Sequence, residues 1–209
     1  MKRALNFLRR KYFETQLPKE IFHIVSDLKK GDVCIDVGAN IGIASEIFLS
    51  RGADVYAFEP HPDAFMKLLE VKRRYEKFTP FNEAVGISEG KVKLYLHTSH
   101  YLDSLKFSTG SSLMGSKPNV GREFIVSKAI NFAEFLSKFP RIRILKIDIE
   151  GFEVELIPHL INSHSLQNVD YVFVETHEKK WPDLVDVTAA MKQLVSESLY
   201  NDQIRWDWP

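Results

Sequence analysis

Short apolar runs and longer amphipathic stretches take turns along the chain. Residues 33–37, 55–58, 142–149 and 169–174 read as strands buried on both faces of a sheet. Residues 41–49, 61–75, 152–161 and 183–199 repeat apolar residues at helical spacing. In the second of these stretches Ala64, Phe65, Leu68, Leu69 and Val71 point inward; in the last, Leu184, Val187, Met191 and Leu194 do. Residues 80–85 and 124–130 add two short strands, with a short helix over 131–139. Residues 91–98 alternate Val92, Leu94 and Leu96 with polar positions, which predicts a half-exposed strand. This alternation predicts an α/β fold, a doubly wound and mostly parallel sheet with helices on both faces.

Two segments depart from that rhythm. In residues 1–30 the bases Lys2, Arg3, Arg9, Arg10, Lys11, Lys19, Lys29 and Lys30 outnumber Glu14, Glu20 and Asp27. Leu5, Leu8, Tyr12 and Phe13, then Ile21, Ile24, Val25 and Leu28, recur there at helical spacing. The reading is a helical extension over residues 1–30 packing on a single domain of residues 31–209, its basic face also offering contact with an anionic membrane surface. Residues 100–121 lose all periodicity and fill with Ser, Gly, Thr, Asn and Pro, as expected of a lid or binding loop.

Composition narrows the class. Of 209 residues, 28 are Lys or Arg and 28 Asp or Glu, so the formal charge is zero and no nucleic-acid partner is expected. Cys34 is the only cysteine, which excludes an internal disulfide and a cysteine-based zinc site. There is no transmembrane-length apolar span and no signal-peptide core, and a soluble, cytoplasmic protein is expected.

The first chemical signal lies between Val33 and Gly42. A strand carrying Asp36 runs into Gly38 and Gly42, which remove side chains where the backbone turns and a ligand comes close. Glu59 closes the next strand, where an acid accepts bonds from ribose hydroxyls. Dinucleotide binding asks for a middle glycine, and Asn40 holds that place. A nucleoside cofactor without pyrophosphate fits better, S-adenosylmethionine being the common one, and Asp36 would face its cationic methionine end.

Two further constellations follow. Lys146, Asp148 and Glu150 alternate with apolar residues, so they share one side near a strand end, and Gly151 then allows a turn with Glu153 in the first turn of the next helix. Burying that much charge is costly unless the groups pair or bind something. Glu175 closes the following strand at the same sheet edge, with His177 two residues on. Two carboxylates and an imidazole beside a cofactor can deprotonate a hydroxyl or hold a divalent ion that acidifies it.

Together these elements resemble an ordered motif set: Asp36-Val-Gly-Ala-Asn-Ile-Gly42, Phe58-Glu-Pro60, Asn82-Glu-Ala-Val-Gly86, Ser111-Ser-Leu113, Lys146-Ile-Asp-Ile-Glu-Gly151 and Glu175-Thr-His177. The set is similar to that of FkbM-type S-adenosylmethionine-dependent methyltransferases, over residues 31–178. The resemblance implies a class I methyltransferase fold and O-methylation of hydroxyls on sugars, glycans or polyketide and other secondary-metabolite scaffolds, a deoxyhexose among the sugars. It places Asp36, Gly38, Asn40 and Gly42 at the methionine end, Glu59 at the ribose, and Asn82 or its neighbours at the adenine. By likeness to metal-dependent O-methyltransferases, Asp148 and Glu175 would ligate Mg2+ or Mn2+. Only residues 179–209 follow Glu178, so the terminal hairpin of the fold is expected to be truncated.

The expected chemistry is an in-line displacement at a sulfonium carbon. Asp148, Glu175 and His177 polarise the acceptor hydroxyl, Lys146 orients the acids, and the cofactor supplies the leaving group. Residues of the 100–121 loop, or Trp206 and Trp208, are candidates to cover a sugar ring. Neutral charge disfavours an RNA methyltransferase, and the intact acids disfavour a non-catalytic binding module.

Overall fold

The computed structural model describes residues 2–206 and 208–209; nothing is described of the side chains of residues 1–7 and 9, so Lys2, Arg3, Leu5 and Arg9 lie outside the described side chains. Helices α1 (Lys2–Gln16) and α2 (Lys19–Ser26) lead into strand β1 (Val33–Val37), helix α3 (Ile43–Leu49), β2 (Asp54–Phe58), α4 (Pro62–Lys72) and β3 (Phe78–Phe81). After an interposed β4 (Ala84–Gly86), β5 (Gly90–His97), β6 (Val120–Asn131) and α5 (Phe132–Leu136), the winding resumes. It continues through β7 (Ile142–Ile147), α6 (Glu153–Asn162), β8 (Val169–Val174), α7 (Val185–Ser196) and β9 (Ile204–Arg205).

The main sheet runs β3-β2-β1-β7-β8-β9 with every neighbouring pair parallel. Alternation of side chains along the strands divides the core in two. Cys34, Val55, Ile144 and Phe173 face α2, α3 and α4, where they pack with Ile21, Val25, Phe48 and Leu68. Ile35, Val37, Leu145, Ile147 and Val174 face the other way, onto Phe132, Leu156, Leu160 and Met191 of α5, α6 and α7. A sheet covered on both faces explains why its strands read as apolar runs. β9 pairs in parallel with β8, and no terminal hairpin is present among the described residues.

Some expectations are corrected. Residues 80–85 do not form one strand: β3 ends the main sheet, while β4 pairs with β6 in a second sheet ordered β4-β6-β5. Pro80 lacks a donor and sits on an edge strand, and the Asn82 amide turns back to the Glu59 and Pro60 carbonyls, which ends the pairing. In the last helix Val187 is exposed, and the buried stripe runs through Leu184, Thr188, Met191 and Val195 instead. Trp208 is core, stacked on Phe173 at 5.6 Å, and Trp206 packs against the opposite cluster; neither lines the cleft described below. Among the described residues no helix is long and apolar enough to cross a membrane.

Candidate active site

Chain reversals after β1, β2, β7 and β8 gather the polar residues at one sheet edge, around a cleft of about 620 Å³. Gly38, Asn40, Glu59, Asp148 and Glu150 all line it. The glycine turn is held by the Gly38 and Ala39 N–H groups, which both donate to the Phe58 carbonyl at 3.0 Å. Gly38 has φ +74°, and a Cβ there would lie 1.8 Å from the Asp148 carbonyl oxygen. Only glycine allows β1 and β7 to converge so closely.

Gly42 is glycine for a different reason. It caps α3 at φ +86°, and a Cβ would strike Leu68 and Val71 of α4. It serves helix packing and does not line the cleft. Asn40 sits at φ +47°, a left-handed conformation that asparagine tolerates, and its amide donates to Ser108 Oγ at 2.8 Å. That bond ties the 100–121 loop over the cleft, where Ser108, Thr109 and Ser111–Leu113 form one wall. The Ser111 hydroxyl is buried there without a partner.

Glu59 projects into the cleft with Oε2 accepting from the Asn40 N–H and Oε1 from the His61 N–H, both at 2.8 Å. Burial outweighs these donors and pushes its pKa up to about 7. Asn82 does not line the cleft; its neighbours Glu83, Ala84 and Val85 do. Asp36 does not reach the cleft either. It pairs in register with Lys146, on the sheet face covered by α3, where it is 0% exposed and accepts from Ser45 Oγ at 2.6 Å.

Lys146 links the two acids of neighbouring strands, with Nζ 3.2 Å from Asp36 and 3.4 Å from Asp148. It also donates to the Gly38 carbonyl at 2.8 Å. Burial opposes its charge, but Asp36 and Asp148 outweigh that and hold its pKa above the ordinary lysine value. The turn after β7 places Glu150 at φ +58° and Gly151 at φ +111°. Glu153 closes this turn by accepting from the Ile149 and Gly151 N–H groups at 2.6 and 2.8 Å.

His177 lies at the centre of the acids. Its Nε2 is 3.4 Å from Glu150, 3.6 Å from Asp148 and 3.8 Å from Glu175, and its Nδ1 is 3.5 Å from Glu153. The residue is 2% exposed, and neither ring nitrogen has a hydrogen-bond partner of good geometry. Burial disfavours its charged form, yet the surrounding carboxylates, Glu153 first, raise its pKa to about 9. Without a bound cation the ring is an imidazolium at neutral pH, which suits it to hold the acids together and not to act as a base. Asp148, Glu175 and His177 offer ligand atoms all within 4.8 Å of one another.

Three contributors carry no signal of their own in the sequence pattern: Lys117, buried in the aperiodic loop and paired with Glu150; Ser108; and Trp181 against Gly151. Glu153, legible as an acid in the first turn of the helix, serves in addition as acceptor for the glycine turn.

A cleft at the carboxyl edge of an all-parallel sheet, with a glycine turn, an acid at the end of the second strand and an acid cluster beside it, defines an α/β enzyme built for a nucleoside cofactor. The chain belongs to the FkbM methyltransferase family, whose Methyltransferase FkbM domain matches residues 36–199, and it is an S-adenosylmethionine-dependent methyltransferase. It is 31% identical over 182 residues to Hexuronic acid methyltransferase AglP of Haloferax volcanii, covering 87% of this chain and 68% of the relative. Among solved structures it is similar to precorrin 8W decarboxylase of Methanobacterium thermoautotrophicum, with TM-score 0.45, 14% identity and coverage of 87% and 72% of the two chains. It is also similar to P. horikoshii TYW2 in complex with MeSAdo, with TM-score 0.41, 14% identity and coverage of 84% of this chain and 49% of that one.

Proposed function

We propose that the chain moves the methyl group of S-adenosylmethionine to a hydroxyl of a sugar or glycan. The O–CH3 bond forms as the S–CH3 bond breaks, S-adenosylhomocysteine leaves, and the hydroxyl proton passes to Asp148. The observation that carries this reading is that Asp148 and Glu150, which line the cleft, meet Glu175 and His177 beside it. The relative named a hexuronic acid methyltransferase supports a sugar as acceptor.

In this reading the Gly38–Asn40 turn approaches the methionine end and the Glu59 carboxylate takes the ribose hydroxyls. The stretch from Glu83 to Val85 and Leu113 of the loop flank the adenine. Asp36 and Lys146 act from behind, fixing the turn and Asp148. His177 holds Asp148, Glu150 and Glu175 in register.

A second reading adds a divalent cation. The buried, unpartnered nitrogens of His177 favour it, as does Asp148, which keeps Oδ1 towards His177 while Oδ2 faces Lys146. An imidazole with two carboxylates suits Mn2+ or Mg2+, and such an ion, when bound, lowers the pKa of a coordinated hydroxyl.

The test is transfer of label from S-adenosylmethionine to a panel of glycosides, hydroxylated metabolites and RNA, with and without a chelator. Alkali-stable methylation of a glycoside is expected. Transfer only to RNA or only to nitrogen overturns the reading, and chelator-resistant turnover removes the cation from it.

A further inference from the structure

We propose that a second cavity, beside the acid cluster, is the acceptor subsite and that it takes an uncharged sugar ring through the hydroxyls that Asn119 and Lys117 require. Acidic sugars are rejected there. The inference rests on the chain's being a sugar methyltransferase and names the class of sugar it takes.

The cavity, of about 670 Å³, shares Thr109 and Glu150 with the cofactor cleft, so the two spaces meet at that pair. Its charges are balanced. Lys117 is paired with Glu150, and Lys180 with Glu175 at 2.9 Å. His97 accepts from the Ser99 N–H at 3.0 Å through Nδ1, which leaves its proton on Nε2. Burial, then Lys117 and His100, lower the pKa of that ring and keep it neutral at pH 7. An anionic ligand therefore finds every cation on the described lining already paired, and it stands against the carboxylate of Glu150. Like charges brought together in this way oppose binding.

Hydrogen bonding on the same lining is incomplete, and in two opposite senses. Asn119 Oδ1 is buried without a partner, so the missing group is a donor. An ionised carboxylate has no donor to give, whereas a hydroxyl does. Lys117 is a buried ammonium whose hydrogen-bond partners are the Gly110 carbonyl, at 3.0 Å, and the Glu150 carboxylate. Its third N–H requires an acceptor, and His97 Nε2–H adds another donor on the lining. A hydroxyl both donates and accepts, so neighbouring hydroxyls of one ring meet both needs without adding charge. His97 and Phe107, stacked at 4.8 Å, and the Trp181 ring supply aromatic surface for the C–H positions of a pyranose.

The experiment loads the full chain with S-adenosylhomocysteine and measures binding by calorimetry. The probes are 4-nitrophenyl glucoside and galactoside, the matching glucuronide and galacturonide, and mono-deoxy analogues of the neutral pair; methyl transfer from S-adenosylmethionine is followed separately. We expect a neutral glycoside to bind about tenfold or more tightly than its uronide. One mono-deoxy analogue should bind about tenfold more weakly than its parent, the scale of leaving a buried polar group unmet. N119A should bind parent and that analogue equally, its loss in transfer should lie in KM and not kcat, and its affinity for S-adenosylhomocysteine should stay native. N119L, which retains the side-chain volume, gives the same readout if N119A loosens the loop. Tighter binding of the uronides, no binding of either neutral glycoside, or a deoxy penalty that survives in both variants overturns the subsite. Neutral binding that N119A weakens, without transfer to any sugar, upholds the subsite and overturns the methyl-transfer reading. Transfer to a sugar that N119A leaves unchanged does the reverse.

Discussion

Gly38 and Asp148 pack so tightly that the ends of β1 and β7 can meet only because Gly38 has no side chain. Gly38→Ala places a Cβ against backbone that cannot swing away, at a φ that L-residues rarely adopt. We expect a Tm lower by roughly 10 °C, from a loss of about 4 kcal/mol in a domain of this size. Gly90→Ala is the control, since its Cβ would meet nothing within 4 Å. A scanning melt of both variants checks the difference.

Among the described residues Lys146 is the basic group that pairs with Asp36, which is fully buried. Lys146→Met leaves that charge uncompensated and should cost about 3–5 kcal/mol. Adding Asp36→Asn removes the stranded charge, and urea titrations of the four-membered cycle should show a favourable coupling of about 1–3 kcal/mol. Additive losses contradict the pairing.

Glu59 supplies a pH signature. Below its ordinary carboxyl value of 4.5 its contribution to stability is complete; as pH rises towards about 7 the folded chain retains a proton that the unfolded chain has lost, and stability falls. Glu59→Gln should flatten that fall in melts recorded across the window. Ribose hydroxyls donate to the ionised carboxylate, and each oxygen retains a lone pair beyond its backbone donor. S-adenosylhomocysteine should therefore bind with proton release just below the Glu59 pKa, seen as buffer-dependent heats in calorimetry. Buffer-independent heats in the native protein contradict the ribose assignment.

The parallel sheet and its two helical layers were legible because strands buried on both faces show as apolar runs, and the site because its acids stand at the ends of those runs. Legibility failed where register or long-range contact decides. Asp36 reads as a cleft residue until its pairing with Lys146 puts it on the α3 face. Gly42 reads as a ligand-facing glycine, but the crowding around it comes from α4, remote in sequence. Residues 80–85 hide a change of sheet, because an apolar run carries no record of its partner. Thr188, polar yet buried, displaced Val187 from the stripe for want of any sequence signal. Lys117 gained its meaning only from Glu150, far along the chain.

Asp148 is the group on which the account turns, since it faces the cleft, Lys146 and His177 together. The most direct measurement is the turnover of Asp148→Asn with labelled S-adenosylmethionine and a glycoside acceptor, alongside calorimetric binding of S-adenosylhomocysteine. We expect kcat lower by about 10²–10⁴ with cofactor affinity within a few-fold of the native value. Turnover retained at the native rate would contradict it.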